Sequence, residues 1–470
     1  MSRRPEGLIY GVNDRPRLPV LGLMGVQHVM LMSSTLVLPV VLVAEIGGSF
    51  EQVRGVVALT MIGCGVGTIV QALRVRGFGS GFLCPNLCGP NFFGISMTAA
   101  WLGGLPLMRG MTIVAGLFEA VFAKTIKHLA FLFPPEITGL VVLMVAEGLV
   151  PLGTSKFLGI TYPDEPISGT NGAVATATVS IMVAATVWGG GKLRLYAVLM
   201  GMVTGYTLAL VTGLFGAEHF ERLARSPWVA LPSIDGMTQL SFRWSLVPAF
   251  LIVSVTGALK SMGNLIMCEK VNDADWKAPD LNRIGGGLLA DSVAVTVSGL
   301  IGGMASDTSA SNVALSSATG ATSRYIGYAA GALFVVLGFF PKISGVLSVM
   351  PMPVMGAILV FVTSFMIVSG IQIILASGMD IRKTFAIGLA VIFALSLDVV
   401  PSLYAGISGW LRPMFESSLT LATVVAVVVN QLLRARRPGV ARTPAKPVAG
   451  ARRERGGKEM GALDRKAYQQ

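Results

Sequence analysis

Lys260 follows the apolar run AFLIVSVTGAL and precedes SMGN. A lysine in the middle of a membrane-spanning segment costs about 2.5–3.5 kcal/mol on insertion scales, so it needs a use or a partner. Three chemistries are open to it. It could hold an anionic ligand beside positive helix ends. It could exchange a proton during a transport cycle. It could be tied into an ion pair, with Glu147 in VLMVAEGLV or Asp291 in GLLADSVAV as counter-ion. We read it first as a contact to substrate. The other polar groups in apolar surroundings are few. Asp291 suits a group that braces a site or holds a proton. Glu147 suits a relocated proton carrier, the counter-ion of Lys260, or a residue at the membrane edge. Glu119 in AGLFEAVFAK reads as a helix-packing hydrogen bond, and His28 as a structural hydrogen bond or a proton relay.

The stretch SDTSASNVALSSATGATSR, residues 306–324, is small and polar between long apolar segments. Such a backbone fills a lipid-facing helix poorly and suits a broken helix whose end lines a cavity, because irregular backbone survives in a bilayer only where protein or trapped water satisfies it. Ser311 and Asn312 fall at the start of this half-helix, where free backbone N–H groups point at a ligand. Both types also cap helices well. Asn91 and Phe92 stand after GFGSGFLCPNLCGP in the corresponding place of the first half, and Phe92 could stack on a planar ring or simply pack. Ser33, Ser34 and Thr35 interrupt the first apolar segment near its middle and are expected to face the same cavity.

These groups have to be held by membrane-spanning helices. Of 470 residues, 53% are hydrophobic and 13% charged, against about 25% charged in soluble domains; the mean hydropathy is +0.71. Apolar runs near the roughly 20 residues a spanning helix needs recur at 19–44, 52–73, 91–104, 109–131, 136–152, 172–190, 193–214, 245–266, 284–304, 311–322, 325–341, 352–375, 383–400 and 416–433. The third and tenth are too short to cross alone, and each is third in its set of seven. Paired interrupted segments at matching places point to two inverted repeats with a binding site at their junction. The longest connections are 153–171 and 215–244, and the charged connector EKVNDADWKAPDLNR follows the eighth segment.

Charge sets the orientation. The net charge is +12, and the segment 434–470 supplies +8 of it. That segment is rich in Ala, Gly, Arg and Pro without apolar periodicity, which predicts a disordered tail. No aromatic platform or nucleic-acid module accompanies it, so nucleic acid is not an expected partner. Arg3, Arg4, Arg15 and Arg17 make the other end basic too. The positive-inside rule then puts both ends in the cytoplasm, with an even number of spans. The first 18 residues are polar and lead into no cleavage site, so no cleavable signal peptide is expected. Cys84 and Cys88 lack a second Cys/His pair, and the four cysteines read as small buried groups rather than metal ligands. No phosphate loop, ligand cluster or nucleophile with a His base suggests an enzyme or a cofactor.

With the segments laid out, the chain resembles the nucleobase–ascorbate transporter family, the xanthine/uracil permeases. The pieces that carry it are YGVNDRPRLP before the first span, Gln27-His28 within it, GSGFLCPNLCGPNFF at the third, PPEITG (134–139) at the fifth, ADSVAVTVSGLIGGM at the ninth, SNVALSSATGATSRYIG at the tenth and PMPVMG (351–356) at the twelfth. Their order and spacing are what is specific. The resemblance covers nearly all of the chain except the tail. It implies an all-α polytopic fold of fourteen segments in two inverted repeats of seven, with short strands before half-helices three and ten. It implies a core domain from residues 19–131 and 244–341, a gate domain from 132–243 and 342–433, a cytoplasmic segment 1–18 and the tail 434–470. It further implies elevator-like, proton-coupled transport by a homodimer in the plasma membrane of a bacterium, its inner membrane.

The chain departs from the family at the site. Where members typically carry a Glu that bonds the nucleobase ring, alignment through ALKSMGN puts Lys260, and the second polar position holds Asn264. The tenth-span signature reads Ser311, Asn312, Ala314, keeping the Asn and losing the usual Gln or Glu and the Gly. Asn91, Phe92 and Asp291 match the family. The expected substrate is a purine such as xanthine or urate, bound by Lys260, Asn312, Ser311, Asn91, Phe92, Asn264 and Ser34, with Asp291, Glu147 and His28 coupling protons or bracing the site. The alternatives are a small inorganic or carboxylate anion held at Lys260 between the half-helix ends, and a ligand sensor of the same fold that does not transport.

Overall fold

The computed structural model describes residues 5, 8–129, 134–160, 166–189, 196–233, 239–277, 279–376, 378–404, 406–407, 415 and 418–435. The tail beyond 435 lies outside the described residues. Helices α1 (Leu18–Ser33), α2 (Val37–Glu45) and α3 (Phe50–Ala72) come first, then strand β1 (Asn86–Cys88) and α4 (Pro90–Leu129). Next are α5 (Pro135–Leu158), α6 (Gly169–Val187), α7 (Ala197–Val211) and the short α8 (Ala217–Arg225). The second half holds α9 (Val247–Asn272), α10 (Leu281–Ile301), strand β2 (Ser306–Thr308), α11 (Ala310–Thr319), α12 (Arg324–Leu337), α13 (Pro341–Ser348), α14 (Met352–Ala376), α15 (Ile381–Val399) and α16 (Ser418–Ala435). Among the described residues eight helices are long and apolar enough to cross a membrane, and α12 with α13 adds a bent pair at 78°. Apolar side chains such as Leu117, Val211 and Ile392 are exposed on the outside, as lipid contact requires. The protein is an integral membrane protein.

Several boundaries differ from those read in the sequence. The first apolar run is one span, Leu18–Glu45, broken near its middle between α1 and α2. Ser33 and Ser34 turn their hydroxyls back onto the Val29 and Leu31 carbonyls at 2.8 and 2.7 Å, and Thr35 onto Met32 at 3.3 Å. Hydroxyls competing for the helix's own carbonyls bend or break it. The third and fourth runs meet without a loop: α4 is interrupted only at Gly103 and Gly104, the latter at φ 67°, where a glycine avoids the clash a Cβ would meet. The connection 215–244 contains α8, and α5 extends to Leu158, which shortens the connection 153–171.

Two sets of helices pack among themselves. In one, α3 lies against α10 and α12, α4 against α9 and α10, and α1 against α12. In the other, α5 and α6 lie against α14, α6 against α7 and α15 against α16. Glycines bring backbones together in both. A Cβ on Gly65 of α3 would meet the Gly331 carbonyl oxygen of α12 at 2.7 Å, and a Cβ on Gly331 would meet the Gly65 carbonyl at 2.7 Å. Gly139 of α5 and Gly370 of α14 make the same reciprocal crossing at 2.6 and 2.8 Å. Between small residues, helix axes approach closely and dispersion replaces the missing hydrophobic drive.

β1 and β2 form an antiparallel ladder, Asn86 opposite Thr308, Leu87 opposite Asp307 and Cys88 opposite Ser306. The Gly89 N–H donates to the Ala305 carbonyl and the Ser309 N–H to the Pro85 carbonyl, each at 2.9 Å, closing its two ends. The N-terminal segment is strapped beneath α11 and α12: the Thr322 and Arg324 N–H groups donate to the Tyr10 and Val12 carbonyls at 2.8 and 3.0 Å.

Candidate functional site

The ladder sets the site. α4 starts two residues after β1 and α11 two residues after β2, and the strands are antiparallel. The two helices therefore leave in opposite directions with their N-termini facing across the ladder, a separation on the order of 10 Å for three-residue strands. Ser309 caps α11, its hydroxyl accepting from the Asn312 N–H at 3.2 Å. In the first turn of α4 the Phe92 N–H donates to the Gly89 carbonyl at 3.1 Å, while the Asn91, Ala310 and Ser311 N–H groups have no partner within their helices and carry the positive end of the helix dipole.

A cavity of about 1530 Å³ opens at these helix ends. Ser34, Asn91, Lys260, Asn264 and Ser311 line it. Lys260, on α9, donates to Asp307 Oδ1 at 2.9 Å, its side chain 23% exposed and that of Asp307 1%. Asp307 Oδ2 accepts from Asn91 Nδ2 at 2.9 Å. Asn264 Nδ2 donates to the Thr308 carbonyl at 3.1 Å and to Thr308 Oγ1 at 2.9 Å. Thr308 Oγ1 donates to Ser261 Oγ at 2.8 Å, and Ser261 in turn donates to Asp291 Oδ2. Asp291 Oδ1 accepts from Asn86 Nδ2 at 2.5 Å. Two hydrogen-bonded sets, meeting at the neighbouring residues Asp307 and Thr308 of β2, thus join α9 and β2 to α4 in one case and to α10 and β1 in the other.

Three expectations need correction. The counter-ion of Lys260 is Asp307, not Glu147 or Asp291. Asp291 is committed to Asn86 and Ser261, while Glu147, half-buried on α5, faces Asp398 of α15 and lies outside the cavity lining. Phe92 does not face the cavity. It is buried, and a Cβ on Gly257 of α9 would lie 3.3 Å from its Cε2, so the ring fills a notch between α4 and α9. Asn312 is buried, and its amide is spent on the fold: Oδ1 meets His28 Nδ1 at 2.6 Å and Nδ2 donates to Ser309 Oγ at 2.8 Å. His28 is buried with it and also lies outside the lining. Asp291, expected to brace the site or hold a proton, is buried behind the cavity.

Asp307 is the residue the sequence reading missed. It lies inside the quoted stretch SDTSASN, and the signal was available. A lysine buried in a span requires an acid, and Asp307 is the one acid in the small polar stretch that must line the same cavity. Among the described residues, no group of three His, Cys, Asp or Glu side chains is placed to hold a metal.

Two facing helix ends, a buried ion pair between them and a cavity inside a helical membrane domain define a membrane transport protein, a permease rather than an enzyme. The chain belongs to the Permease family, whose xanthine/uracil permease profile matches residues 21–403. It is 27% identical over 439 residues to "Putative purine permease CPE0397" of Clostridium perfringens, covering 91% of this chain and 93% of that one. It is 24% identical to xanthine permease XanP of Escherichia coli K12, over 90% of this chain and 94% of that one. It is 23% identical to uric acid permease PucK of Bacillus subtilis, over 89% of this chain and 96% of that one. Among solved structures, the transmembrane domain of the cyanobacterial bicarbonate transporter BicA superposes with a TM-score of 0.52 at 13% identity, covering 89% of this chain and 99% of that one. At such identity the likeness speaks for the fold alone.

Proposed function

We propose that this permease is a secondary active transporter of a nucleobase, a purine such as xanthine or urate, coupled to protons. The observation that carries it is the Lys260–Asp307 pair set between two facing helix N-termini at the cavity. A purine edge alternates donors and acceptors. The ammonium of Lys260, the hydroxyl of Ser311, the amide of Asn91 and the free helix N–H groups offer donors, and the carboxylate of Asp307 offers an acceptor. The relatives' names, purine, xanthine and uric acid permeases, support the same substrate class. The small-anion reading has less support, because the place an anion would take beside Lys260 is held by Asp307.

The two packing sets support a division into a core of α1–α4 and α9–α12 and a gate of α5–α7 and α14–α16, with α13, at the expected start of the gate, packed against α3. The ladder, shared by the two halves of the core, supports the inverted repeat of seven segments. In this reading the core carries the substrate past the gate in an elevator motion, with both termini cytoplasmic in a bacterial inner membrane. The homodimer expected from the resemblance is measured by light scattering in detergent.

The test is uptake of labelled xanthine and urate into proteoliposomes, with uracil, hypoxanthine, ascorbate, bicarbonate and sulfate as competitors. Xanthine or urate flux, blocked by the other purines, is expected. Binding without flux would make the chain a sensor, and competition by bicarbonate or sulfate alone would make it an anion carrier.

A further inference from the structure

A second acid lies against Asp291, and neither hydrogen-bonded set above uses it. Glu119 of α4 is 1% exposed. α4 and α10 approach closely at this level: a Cβ on Gly116 would lie 2.9 Å from the Ser292 carbonyl oxygen. The turn carrying Glu119 is thereby pressed onto the turn carrying Asp291, and the two carboxyls come within hydrogen-bonding reach of one another. Glu119 Oε1 has no hydrogen-bond partner among the described residues. Asp291 takes only neutral donors, Asn86 and Ser261. The charged and titratable groups around the pair, among the described residues, are Lys260 of α9, Asp307 of β2, Cys64 of α3 and Cys84 ahead of β1. The one cation is already held by Asp307 at 2.9 Å. Two carboxyls in contact in a dry interior do not both ionise.

We propose that Glu119 and Asp291 share one proton, and that this carboxyl pair is where the permease loads and releases its coupling proton. The inference rests on the proton-coupled reading of function. The pair is buried, but it is connected. Asp291 is bonded to the Ser261 hydroxyl, Ser261 to the Thr308 hydroxyl at 2.8 Å, and Thr308 to Asn264, which lines the cavity. Hydroxyls both donate and accept, so once Ser261 and Thr308 turn from the direction in which each now donates, a proton leaving Asp291 passes to Ser261 as the Ser261 proton passes to Thr308 and the Thr308 proton to water admitted past Asn264, Thr308 itself lying buried behind the lining. The loaded pair holds two protons and no charge, release leaves the one shared proton and one negative charge, and reloading reverses each transfer. Glu119 is the reserve that keeps the proton when Asp291 gives its own up to the relay.

The experiment has two arms on the full-length protein. Infrared spectra at neutral pH report the carbonyl stretch of a protonated carboxylic acid. Wild type is expected to show that band and both Glu119→Gln and Asp291→Asn to lose it; a wild type without it, or a band untouched by either substitution, overturns the shared proton. In proteoliposomes, the ratio of xanthine accumulation driven by an inward proton gradient to xanthine counterflow is compared. Glu119→Gln, its fold checked by thermal unfolding, is expected to lose most of that ratio, and a ratio equal to wild type overturns the coupling role. Wild-type counterflow that ignores the gradient removes proton coupling and leaves the permease reading standing. Absence of all xanthine flux removes the xanthine reading, while the infrared arm still decides whether the proton is shared.

Discussion

Asp307→Asn is the most informative single change. At 2.9 Å and an effective dielectric of about 20, the Lys260–Asp307 attraction is about 6 kcal/mol before desolvation is subtracted. An anionic substrate entering the wild-type site has to compete with Asp307 for the ammonium. Asparagine keeps the shape and the bond to Asn91 but gives up that competition. A hydrogen bond to a charged group is worth about 1.5–3 kcal/mol, so urate, an anion at neutral pH, should bind about ten- to a hundredfold more tightly. Hypoxanthine, which is neutral, should bind with little change or more weakly. The assay is calorimetric titration of both purines into detergent-purified wild type and variant, with thermal unfolding as the control for fold. Stability should fall less in Asp307→Asn than in Lys260→Ala. The first leaves a lysine 23% exposed to the cavity, whereas the second strands a carboxylate that is 1% exposed, a loss of about 3–5 kcal/mol. An unchanged ratio of urate to hypoxanthine affinity in Asp307→Asn would refute the idea that Asp307 gates access to Lys260.

Further expectations are simpler. Asn312→Ala should destabilise the protein by about 1–3 kcal/mol, because His28 loses its buried partner, whereas Ser311→Ala should shift substrate affinity and leave the melting temperature unchanged; paired melting and binding curves separate the two. Gly370→Ala should cost about 1–3 kcal/mol through overpacking against the Gly139 carbonyl, read as a lower unfolding midpoint. At the α15 N-cap, Asp380 accepts from the Lys383 N–H at 2.8 Å, and that bond, aided by Arg382 and Lys383, holds its carboxyl below the ordinary carboxylate range. Its contribution is therefore present above the unfolded-state value and is lost as the pH falls through the lowered one. Asp380→Ala should cost about 0.5–2 kcal/mol at neutral pH, and the gap from wild type should close on acidification.

What the chain declared openly was its helices. Apolar runs of spanning length locate them because the bilayer leaves the backbone few other choices. The small polar stretch before α11 and the Pro-Gly-rich stretch before α4 announced the two interruptions, and short strands were expected there from the resemblance. The side-chain pairings were harder. Lys260 showed that an acid was needed, but which acid depends on the ladder register that sets Asp307 opposite Leu87, and register across more than two hundred residues is not local information. Phe92 was open to stacking in the cavity or to packing, and one residue along a helix from Asn91 turns a side chain by about 100°, which carries the ring from the cavity to Gly257. Asn312 looked free because capping residues often are, and only the fold brings His28 beneath it. Glu119 was read as a packing residue because nothing near it in sequence reveals the acid it touches.

The built-in counter-ion also decides what the membrane voltage can act upon. A lone lysine crossing the bilayer with its substrate would feel about 2.3 kcal/mol for every 100 mV. In the proposed elevator motion Lys260 and Asp307, 2.9 Å apart on neighbouring elements of the core, would travel together and, being jointly neutral, would add nothing to the electrical work of the step that carries the substrate. The charge of the Glu119–Asp291 pair crosses out and back and cancels over a full cycle, so only the cargo and its proton remain to be counted. A neutral xanthine entering with one proton carries one positive charge inward and is drawn by a negative interior, whereas a urate anion with one proton crosses electrically silent. One unaltered site would therefore be electrogenic with one purine and electroneutral with its oxidised neighbour, the electrical character of transport belonging to the substrate and not to the protein.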